Sequence, residues 1–399
     1  MAMVQDKTYF IKTYGCQANL ADSEKIGGIL EALGYEELKI PILTTEKEEF
    51  KYILSRADLF IINSCAVRQK SEDKIYGIGK PVKEVLEEFS KKPLIVLAGC
   101  VTGGVTGDRR RGELTKLKGK TPWVDLYLSP SEISLFPELL NKKINPKSVD
   151  LKLTDPKHAY VNVSYGCDNY CTYCVVPYSR GKEVSRGEKE VATEVKRLVE
   201  RGVTWVTLCG QNVNSWGLNP KEKLKVRVGT AHKLPFASLL KKIHQIEGLE
   251  IIDFISSNPF DFTDDLVEAL KLPKISNYIH IAVQSGNNEI LKAMNRKHTV
   301  EEFEKLIDKI RKTRPGIEIG TDAIVGFSGE TRKQFMDTVK LFKKINFDVA
   351  FISKYSPRKG TLAEKTLKDD VGAKEKKFRH AYLTRVWNGK KLSFGKSYL

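Results

Sequence analysis

Short apolar runs alternate with amphipathic stretches along almost the whole chain, and many of the runs stop at a cysteine or a small polar cluster. Strand and helix periodicities that alternate in this way pack as parallel strands joined by right-handed helical crossovers. In the first part the strands read TYFIKTYGC, ADLFIINSC and KPLIVLAGC, ending at Cys16, Cys65 and Cys100. NLADSEKIGGILEALGY reads as a helix with Asp22 or Ser23 near its start and Gly34 as its stop. Residues 68–92 read as a helix broken at Pro81. The expectation is an open parallel α/β sheet domain over residues 1–145. Ligands gather at the carboxyl ends of strands in such sheets, so three cysteines far apart in sequence meet there in space. The alternative, three cysteines buried as small hydrophobes, requires the same coincidence in three successive units. The Gly-rich, basic stretch 102–120 reads as a loop, and 146–157 as a linker.

The second part repeats the rhythm with AYVNVSYGC, VTWVTLCGQN, LEIIDFISSNP, NYIHIAVQSG, EIGTDAIVGF and FDVAFISKYSP as strands. Helices lie between them, among them 188–200, 299–312 and 331–345. Six such units over 158–371 predict a partial (βα)6 barrel of the triosephosphate-isomerase type, two units short of closure. Its active face is the carboxyl end, where YGC, CGQN, SSNP, QSG and GFSGE lie. Cys209, at the end of the second barrel strand, reads as a small buried hydrophobe. A lysine-rich helix and a short tail fill 372–399.

Net charge is +17, from 67 Lys and Arg against 50 Asp and Glu. That favours a polyanionic partner, nucleic acid first. The N-terminus has no signal-peptide apolar core and no run spans a bilayer, so the expectation is a cytoplasmic protein without a membrane partner. Its seven cysteines are then thiols or metal ligands rather than structural disulfides.

NVSYGCDNYCTYCVVPYSRG packs Cys167, Cys171 and Cys174 into eight residues. Zinc would use four ligands, usually in pairs, and no further cysteine or histidine follows within about thirty residues. A cubane iron–sulfur cluster suits closely spaced thiolates. With three protein ligands one iron stays open to a small molecule bearing an amine and a carboxylate, as S-adenosylmethionine does, and both groups serve radical chemistry.

GCDNYCTYC resembles the cysteine motif of the radical S-adenosylmethionine superfamily, with the aromatic Tyr173 before the last cysteine. The whole chain resembles the methylthiotransferase family within it, on TYGCQANLADSE, NSCAVRQKSEDKIYG, YCTYCVVPYSRGKEVSR, CGQNVNSWG, VQSGNNEILKAMNRKHT and IVGFSGET. Of the family's branches, acting on isopentenylated adenosine in tRNA, on threonylcarbamoyl-adenosine in tRNA, or on a ribosomal-protein aspartate, it resembles the first. The resemblance implies two [4Fe–4S] clusters, one on Cys167, Cys171 and Cys174, and an auxiliary one on Cys16, Cys65 and Cys100. It implies S-adenosylmethionine in two roles, radical source and methyl donor. Candidate contacts to that cofactor are Tyr173, Gln211, Asn212, Ser257, Gln284 and Asp322. Candidate contacts to RNA are Arg180, Arg186 and Arg296, with Arg109 to Arg111, Lys116 to Lys120 and Lys221 to Arg227 as basic segments. The implied partners are tRNA, an electron donor such as flavodoxin or ferredoxin, and a sulfur donor that the sequence does not identify, acting on a monomer. The family's C-terminal β-rich RNA-binding (TRAM) domain is expected to be essentially absent, 372–399 holding only the helix and that domain's truncated start.

Overall fold

The computed structural model describes residues 7–67, 69–89, 92–107, 109–110, 112–142, 144, 149–227 and 233–392. The chain divides into two compact units. One comprises Met1–Asp155 with Tyr165–Asp168 and Val175–Glu183; the other comprises Pro156–Ser164, Asn169–Cys174 and Val184–Leu399. Among the described residues no helix is long and apolar enough to cross a membrane.

The first unit is built on a parallel sheet of five strands, β1 (Lys7–Tyr14), β2 (Tyr35–Glu37), β3 (Leu59–Ser64), β4 (Leu94–Gly99) and β5 (Leu126–Leu128), in the order β2-β1-β3-β4-β5. The three cysteine-ended strands are the central ones, and the short edge strands β2 and β5 extend what the sequence shows. β3 is buried throughout because both of its faces are covered. Leu59 and Ile61 pack with Ile26, Ile29 and Leu30 of α1 (Gln17–Ala32). Phe60 and Ile62 pack on the other face with Phe50 and Ile53 of α2 (Glu46–Arg56) and with Val82 and Val85. Each wholly buried Ile, Leu or Phe contributes about 1.5–3 kcal/mol. That is why this strand reads as an unbroken apolar run rather than an alternating one.

Four local expectations change. α1 starts at Gln17, directly after Cys16, not near Asp22, because the Asn19 side chain accepts from the Cys16 N–H at 3.3 Å and supports the first turn. Asp22 is therefore inside the helix and buried. The stretch 102–120 is not a loop but holds two short helices, α5 (Cys100–Thr106) and α6 (Leu114–Lys120). Its glycines permit close packing: a Cβ at Gly103 would lie 1.9 Å from the Ser179 carbonyl oxygen. The linker 146–157 is docked where it is described: Lys152 N–H donates to Glu24 O at 2.9 Å, and its Nζ pairs with Glu31 at 2.6 Å. The break in 68–92 falls at Ile78, between α3 (Gln69–Gly77) and α4 (Gly79–Glu87), so Pro81 sits in the first turn of α4, where the helix needs no N–H from it. Arg68 lies outside the described residues.

The second unit contains the six strands expected of the barrel: His158–Asn162, Trp205–Cys209, Ile251–Phe254, Tyr278–His280, Glu318–Val325 and Val349–Lys354. The first three form one parallel sheet and the last three another. Single parallel bridges, Ile252 to Ile275 and Ser257 to Ile281, connect the third strand to the fourth. Helices return the chain between strands. Val300–Thr313 and Arg332–Ile345 start where Thr299 and Thr331 accept from the N–H groups of Glu302 and Gln334, a capping-box arrangement. The final described helix is Ala373–Leu392.

Candidate functional site

In the first unit β1, β3 and β4 end level: Tyr14 is in register with Ser64, and Ser64 with Gly99. The next residues are therefore brought together, with Cys65 N–H donating to Tyr14 O at 2.9 Å. Gly99 has φ of 92°, and a Cβ there would lie 2.3 Å from Asn63 Oδ1. The turn that aims Cys100 thus requires glycine. Behind it, buried Asn19 and Asn63 hold each other through Asn19 Nδ2 to Asn63 Oδ1 at 3.0 Å and Asn63 Nδ2 to Asn19 O at 2.8 Å.

The Cys65 thiol interacts with the thiols of both Cys100 and Cys16. Those two contacts, with burial, push the Cys65 thiol up. The contact with Cys65 pulls Cys16 and Cys100 down despite burial, and the Arg180 guanidinium adds to the effect. Three neighbouring thiols, two of them buried and one half-buried, are a donor set suited to a thiolate-bound inorganic group. Among the described residues no three His, Cys, Asp or Glu side chains converge on a single ion. The thiolates of a cubane cluster bind separate irons and need not converge on one.

The second cysteine set straddles the division of the chain. In the first unit Cys167 is buried, and its N–H donates to Gly181 O at 3.2 Å. In the second unit Cys174 N–H closes a turn on Cys171 O at 2.9 Å, and Thr172 is pinned by bonds to Met294 and Ala363. Tyr173 meets Phe327 edge-on at 6.4 Å.

The strand-end residues expected to meet the cofactor all lie in the second unit. Ser257 is wholly buried, and its hydroxyl has no hydrogen-bond partner among the described residues. An orphaned buried hydroxyl at a strand end is what a ligand-contacting serine looks like without its ligand. Gln284 has φ of 71° although it is not glycine, held by its N–H on Asp322 O at 2.8 Å and by Ile324 N–H on its own carbonyl. Strained backbone of this kind concentrates at binding sites. Asp322 Oδ2 lies 2.8 Å from His280 Nε2. Gln211 is partly buried. Asn212 is differently placed: its amide donates to Asp261 at 2.6 Å and accepts from Asn258 at 2.8 Å. It organises the loop rather than presenting a free polar group. Cys209 is fully buried, as expected of a small hydrophobe.

The three arginines assigned to RNA are engaged within the protein. Arg180, in the first unit, has only 4% of its side chain exposed and is bound to Asp22. Arg186 reaches Glu190, Glu194 and the carbonyl of Asn162. Arg296 donates to Ala282 O at 2.7 Å, lies 3.6 Å from Cys171 Sγ and rests over the Phe260 ring. Their guanidinium groups are engaged by carboxylates, carbonyls and thiols of the chain itself. Arg109 pairs with Asp168, and Arg111 lies outside the described residues. Arg227 turns onto Asp261 and Asn169. Lys116, Lys118 and Lys120 on α6 are exposed.

Sequence reasoning missed the role of Asp22, although it lies inside TYGCQANLADSE, and missed the polar interior of the barrel. There Tyr278 OH is hydrogen-bonded to His280 Nδ1 at 2.9 Å, on the side away from Asp322. Asp253 on the third strand has its carboxyl pushed up to about 6 by burial. Their signal was alternation: Tyr278 and His280 are two apart on one strand and so share a face.

A partial parallel barrel with three closely spaced cysteines after its first strand defines the radical S-adenosylmethionine class, and the Radical SAM superfamily model matches residues 161–342. The model of Uncharacterized protein family UPF0004 matches residues 8–127. The tRNA-2-methylthio-N(6)-dimethylallyladenosine synthase of Caldicellulosiruptor saccharolyticus is 39% identical over 90% of this chain and 73% of its own length. The enzyme of the same name from Clostridium botulinum is 38% identical over 95% of this chain and 81% of its own. The radical S-adenosylmethionine methyltransferase TsrM of Kitasatospora setae, solved with cobalamin and a [4Fe-4S] cluster, superposes with a TM-score of 0.58. It covers 88% of this chain and 75% of its own at 13% identity, a likeness of fold alone. This chain belongs to the methylthiotransferase family of radical S-adenosylmethionine enzymes, in the branch of the tRNA-2-methylthio-N(6)-dimethylallyladenosine synthases.

Proposed function

We infer that this protein methylthiolates N6-isopentenyladenosine beside the anticodon of tRNA, at C2 of the adenine ring. The observation that carries the reading is the pair of three-cysteine sets in one chain, one following the first barrel strand and one assembled from the ends of β1, β3 and β4. The target C–H is neither acidic nor displaceable, so side-chain acid–base catalysis has no purchase on it. When bound, S-adenosylmethionine and the two [4Fe–4S] clusters supply a carbon-centred oxidant, a methyl group and a place for sulfur.

The chain's own residues bind, orient and exclude water. Cys167, Cys171 and Cys174 would hold one cluster, and Cys16, Cys65 and Cys100 the other. Burial of Cys65, Cys100 and Cys167 keeps water from the thiolates. Ser257 offers its unpartnered hydroxyl to S-adenosylmethionine, and Gln284 is held in the strained conformation that presents its side chain at the end of the fourth strand. Asp322 and His280, hydrogen-bonded to each other, provide a polar lining for the barrel. Exposed lysines of α6 contact tRNA phosphates. The enzyme works in the cytoplasm, as a monomer, with external electron and sulfur donors.

Reconstituted anaerobically, the protein binds about eight irons, four for each of two cubane clusters. Alanine at all three cysteines of either set removes half. Nucleoside analysis of tRNA from a deletion strain loses the 2-methylthio-isopentenyladenosine peak and regains it on complementation. One cluster's worth of iron in the parent, or an unchanged nucleoside profile, would overturn the reading.

A further inference from the structure

Arg180 lies six residues beyond the last cysteine of the CxxxCxxC motif, yet its side chain belongs to the first unit. Its Nε is 3.1 Å from Cys100 Sγ, and its Nη2 is 2.6 Å from Asp22 Oδ2. The two side chains are 4% and 1% exposed. The contact depends on local sequence: Gly103 on α5 lets the Val176–Ser179 helical turn approach, and Arg180 follows that turn directly. Asp22 is supplied by α1, the helix that Cys16 opens. The pair is therefore tied to two of the three elements that carry auxiliary cysteines.

A buried ion pair is a weak device for stability, since apolar residues of similar volume hold a core as well or better. Here one arm of the guanidinium is given to a carboxylate and another to a thiol. Such a placement fixes a positive charge against one ligand of the set, with a counter-charge that limits it.

We propose that Arg180, tethered by Asp22, is a positioning residue that sets the electrostatic potential at the auxiliary cysteine site, making the cluster held there easier to reduce. The inference rests on the reading above, in which Cys16, Cys65 and Cys100 hold a cluster. Net charge and hydrogen bonds to cluster sulfurs are established levers on such potentials.

The test uses full-length protein with Cys167, Cys171 and Cys174 changed to Ala, so that only the auxiliary cluster is loaded. Iron content and reduction potential are then measured by redox titration with EPR detection. Arg180→Gln is expected to move the reduction equilibrium about tenfold against reduction, or about 59 mV for one electron. Asp22→Asn should move it the opposite way, and Arg180→Lys should stay nearest the parent. Loss of iron in Arg180→Gln with retention in Arg180→Lys also supports the charge role. Unchanged potentials, shifts of one sign in Arg180→Gln and Asp22→Asn, or equal iron loss in Arg180→Gln and Arg180→Lys would overturn it. A parent that takes up no iron at Cys16, Cys65 and Cys100 overturns the functional reading itself, which separates the two failures.

Discussion

Ser257 is wholly buried at the end of the third barrel strand, and its hydroxyl has no partner among the described residues. Leaving such a group unsatisfied costs about 1–3 kcal/mol. Ser257→Ala is therefore expected to leave the melting temperature unchanged or raise it. The same change should weaken S-adenosylmethionine binding several-fold, by the loss of one hydrogen bond of about 0.5–1.5 kcal/mol. Calorimetric titration beside a thermal melt separates the two effects, and a fall in stability with unaltered affinity would contradict this role. Asp253 offers a pH test. Burial raises its folded carboxyl to about 6 from an ordinary value of 3.8. The folded state thus binds the proton more tightly than the unfolded chain, and this residue's contribution becomes less favourable as pH rises from the unfolded value through about 6. Asp253→Asn should then raise the melting temperature at pH 7.5 and have little effect near pH 4. The cysteine sets were legible at this scale because spacing and strand-end position are properties of the chain. The partners of Arg180 were not, because a guanidinium reads the same in sequence whether it meets phosphate or Asp22.

At the scale of elements, the helix Ala373–Leu392 is held to the second unit by a buried pair. Arg379 Nη1 donates to Glu330 Oε2 at 2.7 Å and to Glu330 O at 2.8 Å, and the two side chains are 4% and 0% exposed. Arg379→Ala would strand the Glu330 carboxylate, with an expected loss of about 3–5 kcal/mol. A double Arg379→Met, Glu330→Gln variant should recover most of it in denaturant titrations. The six barrel strands and the three cysteine-ended strands were legible because buried parallel strands are unbroken apolar runs. The edge strands β2 and β5 were not, being three residues each with partly exposed faces. The helices within 102–120 escaped notice because glycine suppresses helix propensity, while packing of Gly103 against Ser179 overrides it.

At the scale of the molecule, the +17 net charge makes salt the first test of tRNA binding. Affinity should fall log-linearly with salt. Changing Lys116, Lys118 and Lys120 together to Gln should weaken binding and flatten that slope by about 2, at ~0.7 for each phosphate no longer neutralised. Iron content should stay at the parental level. An unaltered slope would move the phosphate-binding surface away from α6.

The sequence by itself determined the alternation of strand and helix and the positions of both cysteine sets, because these depend on periodicity and local spacing, and its motif strings carried the resemblance to the family. Only the tertiary structure decided where the charges go. Three arginines that look alike as candidates for RNA are placed on Asp22 and Cys100, on Glu190 and Glu194, and on Ala282 and Cys171. The physical reason is that a buried ionic side chain must find its compensation among groups distant in sequence, and only the folded chain specifies which groups those are.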